Sequence, residues 1–127
     1  MNIRPSRSTL EQAQSIGKAL SDTGRLRILA ALRGGELCVC HLCTLLELDQ
    51  STVSRHMATL REAGLVLGRR VGRWTLYRRT DETAPGPVRS LLEAVDAMVS
   101  DTPEAAEDAG KLEKIVRETA ISVRIGG

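Results

Sequence analysis

Cys38, Cys40 and Cys43 are the only cysteines in the chain, and all three fall within six residues. A Cys38–Cys40 or a Cys40–Cys43 disulfide would close a tiny loop, and the odd count leaves one thiol over either way. In a reducing compartment such clustering points to metal binding or redox chemistry before structural cross-linking. A second chemistry is signalled a little further on. Residues 51–80 carry Arg55, Arg61, Arg69, Arg70, Arg73, Arg78 and Arg79 against Glu62 alone, a net +6 between +1 for residues 1–50 and −5 for residues 81–127. A basic middle of this kind is the footprint of a protein that meets a polyanion such as nucleic acid. For a charge run by itself the alternative is a solvated face.

The elements that must hold these residues are those of one ordinary domain, which is all that 127 residues allow. A hydrophobic share of 42% and a charged share of 27% give a globular balance rather than a disordered one. Trp74 and Tyr77 are the only aromatic residues, so the core rests on 17 Leu, 13 Ala, 9 Val and 6 Ile. Leu and Ala favour helix, and a mainly helical fold follows. No apolar run approaches the roughly 20 residues of a membrane span, and the opening MNIRPSRSTL lacks the apolar stretch of a signal peptide. A cytoplasmic protein with no membrane contact is expected.

Leu10, Ala13, Ile16, Gly17 and Leu20 recur at helical spacing behind a Ser8-Thr9 pair suited to cap a helix. Asp22 or Thr23 can cap a second helix, with Leu26, Leu29, Ala30 and Arg33 along one side and Ile28 and Leu32 adjoining, ended by Gly34-Gly35. Glu36–Val39 reads as a short extended run. A helix with Leu42, Leu45 and Leu46 on one face follows. Asp49 then caps a further helix whose Val53, Met57 and Leu60 form a buried stripe, ended by Gly64. Two short helices around a tight connection at Glu47–Asp49 have the spacing of a helix-turn-helix. Leu65–Leu67 and Trp74–Tyr77 are β-type runs around a Gly- and Arg-rich tip, Gly68–Arg73, which predicts a basic hairpin. Beyond Pro85 and Pro87, the stripe Leu91, Leu92, Val95 and Met98 or Val99 predicts a helix over Val88–Val99 with more apolar surface than this core can absorb. Thr102-Pro103 starts a final acidic helix that Gly110 weakens, with a frayed tail from Ala120 to Gly127. The expected fold is mainly α with a small β-hairpin, a dimeric winged helix-turn-helix. Residues 1–100 form its DNA-binding and dimerisation domain, and residues 101–127 an acidic C-terminal extension.

The segments Ser21–Leu29, Glu36-Leu37-Cys38-Val39-Cys40-His41-Leu42-Cys43, Ser51–Met57 and Leu60–Leu65 resemble the ArsR/SmtB family of metal-responsive repressors. The resemblance spans roughly residues 10–100 and is strongest over 21–79. The cysteine run is similar to that of the arsenic-responsive branch. That resemblance implies a homodimeric repressor of double-stranded operator DNA, reading an imperfect inverted repeat and letting go when trivalent arsenic or antimony binds as inducer at Cys38, Cys40 and Cys43. The chemistry agrees. A thiophilic centre with three bonding directions and a lone pair needs three soft donors converging from one side, and thiolates are the softest a protein offers. Cys40 and Cys43 stand i, i+3 on one helical face, Cys38 can fold back beside them, and a helix N-terminus lowers thiol pKa. Three rivals remain: cysteines as apolar fillers, a thiol-redox switch, and a zinc, cadmium or lead site that adds His41, whose position beside Cys40 strains tetrahedral closure. The second, C-terminal type of zinc site in the family uses His and carboxylates. Val88–Ser100 has Glu93 and Asp96 but no His, and those two acids are expected on a solvated face.

The first residues of a recognition helix reach base edges in the major groove. With Val53, Met57 and Leu60 inward, Gln50, Ser51, Thr52, Ser54 and Arg55 point outward. Gln pairs bidentately with adenine and Arg with guanine, while hydroxyls serve bases or phosphates. The family's DNA-contacting positions map onto Gln50, Ser51, Ser54 and Arg55. Arg69, Arg70 and Arg73 of the wing are candidates for phosphate or minor-groove contact, and Trp74 and Tyr77 are expected to anchor the hairpin. No enzyme is expected. The one Cys-x-x-Cys, Cys40–Cys43, lies in a helix-turn-helix pattern away from any βαβ frame, and neither a phosphate-cradling loop nor a Ser/His/Asp set accompanies it.

Overall fold

The computed structural model describes the backbone of residues 9–126 and the side chains of residues 10–119. Six helices and three strands follow in the order α1 (Thr9–Leu20), α2 (Thr23–Ala31), β1 (Leu37–Cys38), α3 (Val39–Leu46), α4 (Gln50–Glu62), β2 (Val66–Val71), β3 (Trp74–Arg79), α5 (Gly86–Val99) and α6 (Pro103–Gly126). Asp22 caps α2, its carboxylate accepting from Arg25 N–H at 3.1 Å. The helix tightens into a 3₁₀ turn at Leu32–Gly34 and stops at Gly35, whose φ of 139° suits glycine.

The core gathers Ile28, Leu29, Leu42, Leu45, Val53, Met57, Leu60 and Leu65, all buried. The stripe expected on α4 is therefore the one found. On α2 the buried side is Ile28, Leu29, Ala31 and Leu32, rotated from the expected one, which leaves Arg33 exposed. Arg25 ties α1 and α4 to α2: its guanidinium donates to the carbonyls of Lys18 and Ala19 and to His56 Nδ1, at 2.9, 2.9 and 3.0 Å.

The sheet is antiparallel with strand order β1-β3-β2. The expected six-residue tip at Gly68–Arg73 is instead mostly strand. Pairing continues to Val71 opposite Trp74, so only Gly72 and Arg73 turn, with Gly72 at a φ of 60°. Gly68 serves a different purpose: a Cβ there would stand 2.7 Å from Tyr77 Cε1, so the glycine lets the ring lie across the strand. Tyr77 is buried and Trp74 half-buried, in keeping with their expected anchoring role.

Helix α5 starts at Gly86, with Pro87 in its first turn, and buries Val88 and Leu92. Asp96 is not on a solvated face. It takes a two-oxygen contact from Arg79 at 2.9 and 3.0 Å and lies 3.5 Å from Arg33. Helix α6 passes through Gly110 without a break and packs on α2 and α3. Its Asp108, 7% exposed, receives both Arg27 Nε and Nη2 at 2.7 and 2.9 Å. The side chains of residues 120–126 and all of Gly127, on which the expected frayed tail falls, lie outside the described residues.

Candidate thiol site and nucleic-acid interface

Cys38 ends β1 and stands at the N-cap of α3, so one residue belongs to both the wing sheet and the helix-turn-helix. Its backbone pairs with Leu76 of β3, and its neighbour Leu37 pairs with Tyr77. Cys40 follows in the first turn of α3 and is exposed, whereas Cys38 is buried. The two sulfurs are joined in a disulfide, contrary to the expectation that so small a loop would stay open. Cys43 keeps a free thiol, half-buried on α3. Sulfur atoms of Cys38 and Cys40 and a ring nitrogen of His41 lie within 4.8 Å of one another, and Cys43 is outside that group. The structure thus brings together two of the three expected thiol ligands and adds His41, which the sequence reading placed only in the rival zinc, cadmium or lead site.

His41 is 6% exposed, and burial pushes its imidazole below the ordinary value, towards the neutral form. Its Nδ1 accepts the Cys38 N–H at 3.1 Å, as the Glu or Gln of a capping box does. The proton therefore sits on Nε2, which donates to Thr119 Oγ1 at 2.7 Å, and Thr119 donates onward to the Ile115 carbonyl at 2.8 Å. This chain links the cysteine turn to α6. The three-residue spacing of Cys38 and His41 was the available signal, hidden because Cys is not a usual N-cap. The expectation of a lowered thiol pKa fails at Cys43, where burial, and then the Asp49 charge, push it up.

Helix α3 ends at Glu47 in the left-handed region, φ 56°, and Asp49 caps α4. Thr52 N–H and Ser51 Oγ donate to the Asp49 carboxylate at 3.3 and 2.8 Å and hold it below the usual carboxylate range. Gln50, Ser51, Ser54 and Arg55 are exposed, with Thr52 half-exposed. In the wing, Arg70 and Arg73 are exposed, but Arg69 is held by Glu36 through two hydrogen bonds of 2.7 and 2.8 Å. That pair keeps the Glu36 carboxyl below its usual range. Arg78 and Arg79 are likewise engaged, by Asp81 and Asp96. Of the seven arginines in the +6 segment, Arg69, Arg78 and Arg79 face acids, while Arg55, Arg61, Arg70 and Arg73 have no salt bridge among the described residues.

The description "Bacterial regulatory protein, arsR family" belongs to the family model that matches residues 22–67. The chain is 48% identical over 79 residues to the arsenic resistance transcriptional regulator ArsR1 of Pseudomonas putida, covering 61% of each protein. It is 53% identical over 62 residues to the arsenical resistance operon repressor of Escherichia coli, covering 48% of this chain and 53% of that protein. The chain thus spans less than two thirds of the length of either. Against the HTH-type transcriptional regulator CmtR of Mycobacterium tuberculosis it is 36% identical over 100 residues, 79% of this chain and 85% of that one. Among solved structures, the homodimeric winged helix-turn-helix DNA-binding domain Mb0332 of Mycobacterium bovis aligns with a TM-score of 0.58 and 28% identity, over 78% of this chain and 96% of that one. The fold is a winged helix-turn-helix, and the chain belongs to the ArsR family of bacterial regulatory proteins.

Proposed function

We propose that the chain is a transcriptional repressor that binds operator DNA as a homodimer and leaves it when trivalent arsenic or antimony is captured by the thiolates of Cys38, Cys40 and Cys43. The observation that carries this reading is the position of Cys38, paired with Leu76 of the wing and capping the helix that sets α4. Drawing Cys38, Cys40 and Cys43 onto one centre distorts the first turn of α3 and pulls on β1, so the liganded form fits DNA less well. Linkage makes DNA weaken capture by the same factor. The reading gains support from the arsenic-resistance names of the Pseudomonas putida and Escherichia coli relatives and from the homodimer named for Mb0332. Capture needs the Cys38–Cys40 disulfide reduced, so the oxidised repressor stays on its operator.

DNA is met by Gln50, Ser51, Thr52, Ser54 and Arg55 at the start of α4, in the major groove, and by Arg70 and Arg73 of the wing at phosphates. Arg69 joins them only when Glu36 lets it go. A second reading, sensing of zinc, cadmium or lead, is favoured by the His41 nitrogen beside the two sulfurs. It requires a His41 ring nitrogen to surrender its partner, the Cys38 N–H at Nδ1 or Thr119 at Nε2. A gel-shift titration of the reduced protein with arsenite, antimonite, zinc and cadmium separates the two. Release by arsenite and antimonite supports the first reading; release by zinc or cadmium alone overturns it in favour of the second.

A further inference from the structure

A cleft of about 600 Å³ opens between α3, the start of α4 and β3. Arg73, Thr75 and Tyr77 line it at two-residue steps, the period that puts strand side chains on one face. They are exposed, half-buried and buried in turn, so their donors run from the mouth of the cleft towards its floor. Gln50 and Ser54 of α4 line it as well. None of these five side chains has a hydrogen bond or ion pair among the described residues. Tyr77 carries the most weight. It is 8% exposed, and a buried phenol without a partner is unusual, because it gives up its bond to water for nothing. Arg73 is the only charged side chain lining the cleft, and no carboxylate does.

We propose that this cleft seats one phosphodiester of the DNA backbone, whose unesterified oxygens accept from the Arg73 guanidinium, the Thr75 hydroxyl and the Tyr77 hydroxyl. The inference rests on the DNA-binding part of the reading above and adds two residues to it, Thr75 and Tyr77. A row of donors with one cation and no acid fits an oxyanion: Arg73 supplies the charge, and the hydroxyls satisfy the remaining lone pairs. The backbone is the source of that oxyanion, because Gln50 and Ser54 of the recognition helix share the cleft. A strand whose base edges meet those two side chains carries its own phosphates past β3. Phosphate contacts fix register without reading sequence, so Tyr77 is a positioning residue that sets how deep α4 lies in the major groove. The wing then grips the backbone along one face of β3 and not only at its tip.

The test uses the reduced full chain, a duplex that the wild type selects from a randomised pool, and a scrambled duplex. Tyr77→Phe keeps the ring that Gly68 accommodates and removes only the unpartnered hydroxyl, so its Tm should equal or exceed that of the wild type. It should bind both duplexes about tenfold more weakly, as for loss of a hydrogen bond to a charged group, with an unchanged salt slope because no cation is lost. Thr75→Val should do the same to a smaller degree. Methylphosphonate placed at one position after another along the selected duplex should reveal one phosphate whose neutralisation makes Tyr77→Phe and wild type bind alike. Trp74 also lines the cleft and is the only tryptophan, so its emission should change when DNA binds. Inorganic phosphate at the same concentration as the DNA should leave that emission unchanged, since it lacks the neighbouring groove contacts. Equal affinity of Tyr77→Phe and wild type, a loss confined to the selected duplex, a lowered Tm, unchanged emission on DNA binding, or the absence of any such phosphate would each overturn the proposal. A response to inorganic phosphate would assign the cleft to a free anion and overturn it too. If the wild type binds no duplex, the reading under Proposed function falls and the seat falls with it, whereas failure of the seat alone leaves wild-type binding intact.

Discussion

Arg55, Arg69, Arg70 and Arg73 were alike in the sequence, and their surroundings separate them. Arg55 leaves the recognition helix without a salt bridge among the described residues, whereas Arg69 is gripped by Glu36 at 2.7 and 2.8 Å. Arg55→Ala should relax sequence preference, because base contacts specify. Arg70→Ala and Arg73→Ala should weaken binding to every sequence and lower the salt slope by about 1 each. Arg69→Ala should change the slope by less. Salt-dependent anisotropy with matched and scrambled DNA measures all four, and equal loss of specificity throughout would show helix and wing misassigned. The cysteines and the outward face of α4 could be read from spacing alone. The capture of Arg69 by Glu36 and of Arg79 by Asp96 could not, since these partners lie 33 and 17 residues apart and meet only through the sheet and α5. His41 escaped for a similar reason: its Thr119 partner is 78 residues away.

Element identities were legible because caps and periodicity are local: Asp22 and Asp49 cap the helices that the sequence assigned to them. The wing was misread because Gly68 looks like a turn residue, while its real constraint is the Tyr77 ring across the ladder. The Asp49 cap gives a prediction with a defined sign. Its carboxyl is held below the ordinary range, so its contribution to folding is complete above the unfolded value near about 3.9 and is lost as pH falls through the lower folded value. Asp49→Asn should keep the cap and remove that acid step, whereas Asp49→Ala should lower Tm already at neutral pH. Thermal melts followed by far-UV circular dichroism between acid and neutral pH measure both. The docking of α6 rests on a second local device. Asp108→Ala leaves Arg27 without its carboxylate and should cost about 2 kcal/mol, reduced by the part-exposure of the guanidinium. Urea unfolding measures it, and a loss indistinguishable from zero would mean that the Arg27–Asp108 pair adds nothing to the apolar packing of Leu112, Ile115 and Val116 and the His41–Thr119 hydrogen bond.

The chain as a whole buries one core yet leaves Leu10 of α1 82% exposed and Met98 of α5 76% exposed. Met98 lies on the stripe whose apolar surface exceeds what one core can absorb, and Leu10 on the apolar face of α1. A second copy covering them would place two recognition helices about 34–36 Å apart, matching half-sites one helical turn apart. Sedimentation at micromolar concentration should give a dimer. Met98→Glu, which puts a charge into the interface, should weaken association by about tenfold or more, since 1.4 kcal/mol suffices. A monomer that still binds DNA with full affinity would contradict this. The central claim couples thiol capture to DNA release, and one titration tests it most directly. Reduced wild-type protein and the Cys38→Ser, Cys40→Ser double variant are each bound to a DNA fragment selected from a randomised pool, and arsenite is added while anisotropy is followed. The account predicts that both bind DNA with similar affinity and that arsenite releases only the wild type. Release of the double variant at the same arsenite concentration, or its failure to bind DNA at all, would contradict the account.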